Sequence, residues 1–324
     1  MKEPTKKTTI ITLSIIGSVC IGLGIGAGLT IHGLGLFKKD VGDDAYANLA
    51  SVEMTDSDSL FDRYKAIKDK TDDFTTVFSE QELANLSLYL FDLHENSRVT
   101  SLGLSVATIG VRQNIWAMSI REGARFFEES KSKSSVVAIH DRMYQEGDST
   151  TYYFTGTPYE GNPSEGDFAN SKGVTISNEE YAEFLGRNVS NPCIYYINEN
   201  TVIKDGALNR KNKNSGIPTS MTKVEDGYKV ELELDNLYGV KNYVKQMKGI
   251  SNLYQYPIFE YVHLTFELDS SLEIKFMHVK EKYYAKTSAV LGSDLEATMS
   301  IKFETDGDFK IPELNDVIEY PESF

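Results

Sequence analysis

Cysteine is almost absent. Cys20 and Cys193 are the two in 324 residues, and Cys20 sits inside an apolar run, so no disulfide framework and no cysteine-based zinc site can be assembled. Positive charge is also scarce: 33 Lys and Arg face 48 Asp and Glu, a net charge of −15. Residues 1–39 hold five lysines and one glutamate, which leaves −19 for the remainder. So acidic a body repels phosphate backbones and lacks the basic face that counterion release needs, which excludes nucleic acid as a partner. The 5 histidines (32, 94, 140, 263, 278) show no His-x-x-x-His spacing, so no metal is expected; His263 and His278 read as cross-strand surface neighbours. No Gly-x-x-x-x-Gly-Lys phosphate loop occurs, and no cofactor is expected.

Catalytic constellations are equally thin. Ser130–Lys133 and Ser220–Lys223 match Ser-x-x-Lys, but neither opens a helix and the companion motifs are missing. Ser105 follows Gly103-Leu104 without the second glycine of a nucleophile elbow, and His140-Asp141 lies within a strand pattern. Glu128/Glu129 and Glu179/Glu180 are carboxylate pairs of the kind any chain this acidic contains. Tyr152, Tyr153, Tyr195, Tyr196, Tyr254, Tyr256, Tyr283 and Tyr284 read as strand residues rather than sugar-stacking platforms. No catalytic residue is assigned.

What the chain does have is an apolar start. Thr8 to Phe37 carries no charge, and as a helix Ile10–Ile31 spans about 33 Å, which matches a bilayer core. The run is too long for a cleaved signal peptide, and Val19 before Cys20 departs from the lipoprotein pattern. An uncleaved anchor fits best. Lys2, Lys6 and Lys7 before it, against Lys38 and Lys39 after it, orient the amino terminus to the cytoplasm. Gly22, Gly24, Gly26 and Gly28 have the spacing at which membrane helices pack closely, although glycine is also simply common in such helices. Residues 38–60, with Asp40, Asp43, Asp44, Asp56 and Asp58, read as an acidic tether.

Residues 61–324 then form the extracytoplasmic body, with 40% hydrophobic content in the whole chain to supply its core. Ser79 to Leu93 predicts a helix, capped by Ser79 with Glu82 and striped by Leu83, Leu86, Leu90 and Leu93. Val106–Ile120, Arg125–Glu129, Ser134–Tyr144 and Thr150–Thr155 predict an antiparallel meander. Loops at 155–173 and 204–227 separate two halves; between them Ser177 with Glu180 predicts a short helix to Leu185, and Asn191–Val202 a strand. Beyond the second loop, Val230, Leu232 and Leu234 alternate with charge, Val240, Tyr243, Val244 and Met247 form a helical stripe, and Val262, Leu264, Phe266 and Leu268 alternate again. Leu272, Ile274 and Phe276, then Leu295, Ala297, Met299, Ile301 and Phe303, continue the period of two. The expected class is α+β: a curved antiparallel sheet, a half-barrel covered by a few helices and preceded by one transmembrane helix.

This order of elements resembles the lipoprotein-carrier (LolA-like) superfamily and its mycobacterial lipoprotein relatives. Val111-Arg112-Gln113-Asn114-Ile115, Gly123, and Phe127-Glu128-Glu129-Ser130 are similar to its early strands. Gly227-Tyr228-Lys229-Val230-Glu231-Leu232 and Leu268-Asp269 resemble its late sheet, and Asp306-Gly307-Asp308-Phe309-Lys310-Ile311-Pro312-Glu313-Leu314 the endings of firmicute members. The resemblance implies a concave apolar face that holds lipid. Val230, Leu232, Leu234, Val262, Leu264, Phe266, Ile301 and Phe303 would line it. The expected function is non-enzymatic binding of a lipid or other apolar ligand by a single-pass protein of the cell membrane, its body outside. The alternatives are a cell-envelope protein-interaction module with a solid core and, less favoured, a glycan-processing enzyme.

Overall fold

The computed structural model describes residues 56–108, 110–134, 138–146, 150–155, 157–159, 162–167, 174–177, 193, 195–203, 217–244, 247, 255–286 and 292–324. The expected membrane span with Gly22, Gly24, Gly26 and Gly28, residues 38–55 of the tether, and 178–185 of the second capped helix lie outside the described residues.

Two helices come first, α1 (Ser57–Ile67) and α2 (Glu80–Asp92). The strands are β1 (Asn96–Ala107), β2 (Arg112–Glu122), β3 (Arg125–Ser134), β4 (Ala138–Glu146), β5 (Thr150–Thr155), β6 (Thr157–Tyr159), β7 (Asn162–Asp167), β8 (Val174–Ser177), β9 (Ser220–Val224), β10 (Gly227–Leu234), β11 (Ile258–Asp269), β12 (Ile274–Lys286) and β13 (Gly292–Glu304). Asp56 caps α1 by accepting from the Ser59 amide at 3.1 Å. Glu82 accepts from the Ser79 amide (2.9 Å) and hydroxyl (3.0 Å) at the start of α2, and also pairs with Arg63 of α1. One carboxylate therefore caps one helix and ties it to the other.

Eleven strands form one antiparallel sheet in the order β8-β5-β4-β3-β2-β1-β13-β12-β11-β10-β9, and β6 and β7 form a separate hairpin. Each half of the chain is a meander, and β1 joins the halves by pairing with β13 from Arg98↔Glu304 to Ala107↔Leu295. The inner face carries Val99, Ile115, Ala117, Val230, Leu264, Met277 and Ile301, which share one core with Leu83, Leu86 and Phe91 of α2. Phe91 meets Phe303 edge-on at 5.0 Å.

The expected class does not stand. The described residues form a predominantly β fold, and no helix among them is long and apolar enough to cross a membrane. The reason is that the period of two runs further than expected: β1 begins at Asn96, and β11, β12 and β13 have 12, 13 and 13 residues. Helices then supply only part of the cover. Connecting segments supply more, including 195–203 and the stripe Val240, Tyr243, Val244 and Met247, all four fully buried.

Three local expectations change as well. Asn191–Val202 is not a strand where described; its residues 195–202 are irregular and touch the sheet through a Val202↔Leu234 bridge. The two expected loops contain β6 and β7 in the first and β9 in the second. Ser177, expected as a helix cap, ends β8.

Candidate functional site

All eight residues expected to line a ligand cavity lie on the inner face. Val230, Leu232, Leu234, Val262, Leu264, Phe266 and Ile301 have 0% of their surface open to a water-sized sphere, and Phe303 has 3%. β10 and β11 set them side by side, with Val230↔Phe266, Leu232↔Leu264 and Leu234↔Val262 in register. Leu83, Leu86 and Phe91 of α2 and Val240, Tyr243, Val244 and Met247 share one buried core with them.

At the centre of this apolar face is a carboxyl. Glu281 is 1% exposed, and its Oε2 accepts from the Tyr195 hydroxyl at 2.8 Å while Oε1 accepts from the Tyr243 hydroxyl at 3.0 Å. Burial pushes its pKa up to about 8 against the pull of those two bonds. Tyr283, next on the same face, is pushed well above 10 by burial and then by Glu281, and bonds to Ser105. Tyr195 and Tyr243 also pack edge-on at 5.3 Å. The carboxyl thus fastens Tyr195 of the 195–203 segment and Tyr243 of the 240–244 segment to the sheet.

Sequence reasoning missed Glu281 because it carried the wrong phase through β12. Leu272 adopts φ 66 in the β11–β12 turn, and the register shifts between Glu267 and Leu268. Met277, Val279, Glu281 and Tyr283 therefore face inward, and Phe276 does not. A glutamate in an otherwise apolar i, i+2 series was the available signal.

The second concentration of chemistry is on the outer face of β3 and β4. Glu129 is 0% exposed and pairs with Arg142 (Nε to Oε2, 2.5 Å), His140 (Nε2 to Oε2, 3.0 Å) and Lys131 (Nζ to Oε1, 3.2 Å). Burial alone would raise its carboxyl, but the His140 hydrogen bond and the Arg142 and Lys131 charges hold it down at about 2. Burial lowers His140 despite that carboxylate. Glu128, the neighbour paired with it in sequence, points to the inner face, since successive strand residues alternate. The same alternation puts Ser130 and Lys133, and Ser220 and Lys223, on opposite faces of β3 and β9.

The cover here is the C-terminal segment, 307–324. Arg142 donates to the carbonyls of Glu313 (3.1 Å), Leu314 (2.6 Å) and Asp316 (2.6 Å), and Lys131 to that of Ile318 (3.4 Å). Tyr320 donates to Glu129 Oε1 at 3.0 Å, and Phe309 packs with Met118, Ile120 and Phe127.

Elsewhere, His263 lies 3.4 Å from Glu233 while His278 approaches Glu267 and Ser300, so the two histidines serve separate partners. Among the described residues no three His, Cys, Asp or Glu side chains gather as a metal site would require. Open clefts include one of about 410 Å³ beside Asp92, His94, Arg121 and Arg125, and one of about 440 Å³ beside Tyr64, Asp72, Lys223 and Ser271. The first is lined mainly by polar groups and the second by polar and apolar groups alike, and none of the eight inner-face residues lines either.

No family model matches the chain, and no curated protein does. Solved structures similar to parts of it include a de novo designed transmembrane β-barrel (4% identity, 64% of this chain and 95% of that one, TM-score 0.20). A porin-like protein from Bacteroides uniformis is another (7% identity, 65% and 96%, TM-score 0.21).

Proposed function

We propose that this chain is a non-enzymatic binding module of a cell envelope, held at the membrane by its N-terminal apolar run with the amino terminus inside, and that it engages protein partners through its surface. The observation that carries this reading is the filled inner face. Seven of the eight cavity candidates have no surface that a water-sized sphere can reach, so an acyl chain would have to displace protein to enter. A second reading, carriage of a lipid or other apolar ligand, is favoured by the make-up of the cover. It consists of α2 and short connecting segments rather than a second sheet, and such pieces move more readily than a paired layer.

Native mass spectrometry of residues 38–324, followed by solvent extraction, separates the two. The surface-binding reading expects a clean apo mass and no uptake of a fluorescent fatty acid. A reproducible lipid-sized mass, lost in Leu264→Asp without unfolding, would replace it with lipid carriage.

A further inference from the structure

The inner face of the sheet changes character across its width. From β10 to β13 its inward residues are aliphatic and aromatic, Glu281 apart, whereas on β2, β3 and β4 polar residues take over. Gln113, Glu128, Ser130, Ser132 and Asp141 are all buried there, with Ser101 of β1 at the border. A covered strand face is ordinarily apolar, and each polar group taken from water without a partner costs about 1–3 kcal/mol. A lining this polar is stable only with polar contents against it.

Glu128 and Asp141 each engage a partner, so their demand is met. Two neutral groups are left over. Gln113 donates its Nε2 to Ser132 Oγ at 3.0 Å, but its Oε1 has no hydrogen-bond partner among the described residues, and neither has Ser101 Oγ. Both side chains are at least nine-tenths buried. Being uncharged, these atoms call for hydroxyl groups rather than an ion: a hydroxyl donates to an amide oxygen, and exchanges either role with a serine. Ser101 lies opposite Ala117, four residues along β2 from Gln113, which puts the two about 14 Å apart. One water molecule cannot serve both, whereas a run of two or three sugar rings can. An extended peptide is a poorer match, because β2, β3 and β4 are paired on both sides and have no free main-chain edge.

We propose that the inner face of β2–β4, bordered by Ser101, binds a neutral saccharide of two or three rings whose hydroxyls meet Gln113 Oε1 and Ser101 Oγ. The β6–β7 hairpin supplies the way in. It pairs with no strand of the main sheet and lies against β3 and β4, whose outer side the C-terminal segment occupies. A two-stranded hairpin is marginal by itself, so it is the piece of cover that lifts at least cost.

The test titrates the full-length chain, kept in a polyoxyethylene detergent that carries no sugar, with maltotriose, cellotriose, chitotriose and, as a cationic control, spermidine. Calorimetry should find one site for at least one trisaccharide, with a Kd of about 1 mM or tighter. Gln113→Leu should weaken that binding about tenfold, the worth of one buried hydrogen bond, with the urea midpoint unchanged or raised. Ser101→Ala, which removes a single oxygen from the interior, is the second variant and should weaken it severalfold. Hydrogen exchange in β6–β7 should slow when the sugar is bound. No binding of any of the three sugars up to about 10 mM would overturn the proposal. So would affinity unchanged in both variants, or uptake of spermidine in place of the sugars, which would make the lining a cation site.

Discussion

Glu129 and Glu281 are both buried carboxyls, yet their surroundings move their titration in opposite directions. Glu129, held at about 2 by a histidine and two cations, favours the folded chain above the ordinary value of 4.5. That contribution, about 3 kcal/mol, is lost as pH falls toward 2. Glu281 lies at about 8, so its contribution is complete below 4.5 and is lost as pH rises through 8, on the order of 3–5 kcal/mol. Thermal unfolding of residues 38–324 across pH 3 to 9 should therefore show a maximum near pH 5, and relief of the −15 self-repulsion acts in the same direction. Glu281→Gln should flatten the alkaline limb, with a gain of about 2–4 kcal/mol at pH 8, and leave the acid limb unchanged. An alkaline limb that persists in this variant would locate the titrating group elsewhere. Neither carboxyl was legible as a site. Glu129 read as one of an ordinary carboxylate pair and His140 as part of a strand pattern, because the cover that brings Glu129, Lys131, His140 and Arg142 out of solvent comes from more than 160 residues away, at Glu313 to Tyr320.

At the scale of elements, the strands with one charged face were readable from the sequence. β10, β11 and β13 carry the alternation expected for them, because each has an apolar row toward α2 and a polar row away from it. The capping box of α2 was readable too, being contained in four residues. β12 was not, because the left-handed Leu272 and the register shift are decided by pairing with β11. The β9–β10 turn makes a comparable demand. A Cβ at Gly227 would lie 2.0 Å from the Leu268 carbonyl oxygen, with φ at +156, so β10 can approach the end of β11 only with glycine there. Gly227→Ala should cost about 2–4 kcal/mol in urea unfolding. Hydrogen exchange should show the loss of protection concentrated in β9 and β10; uniform loss across the sheet would speak against this local cause.

Over the whole molecule, the sheet's order inverts the order of the chain. The first and last long strands meet at its middle, whereas its edges, β8 and β9, come from the centre of the sequence. Composition and alternation foretold two meanders but not their junction, since nothing local to Asn96–Ala107 specifies a partner nearly 200 residues on. Refolding of residues 38–324 from urea should be slow, on the order of seconds, because that long closure must precede its reward. Residues 38–291, which lack β13, should give no cooperative transition by circular dichroism. A sharp transition in that shortened chain would mean that the halves fold independently.

The seam between β1 and β13 also sets a schedule for synthesis. A growing chain exposes β1 early, paired on one side by β2 and bare on the other, and the strand that completes it is almost the last to be made. For most of the protein's production this bare edge, with Val99 and its neighbours, is an invitation to foreign strands. A pause or truncation near the end of translation, before residue 304, should therefore do more harm here than one in the middle.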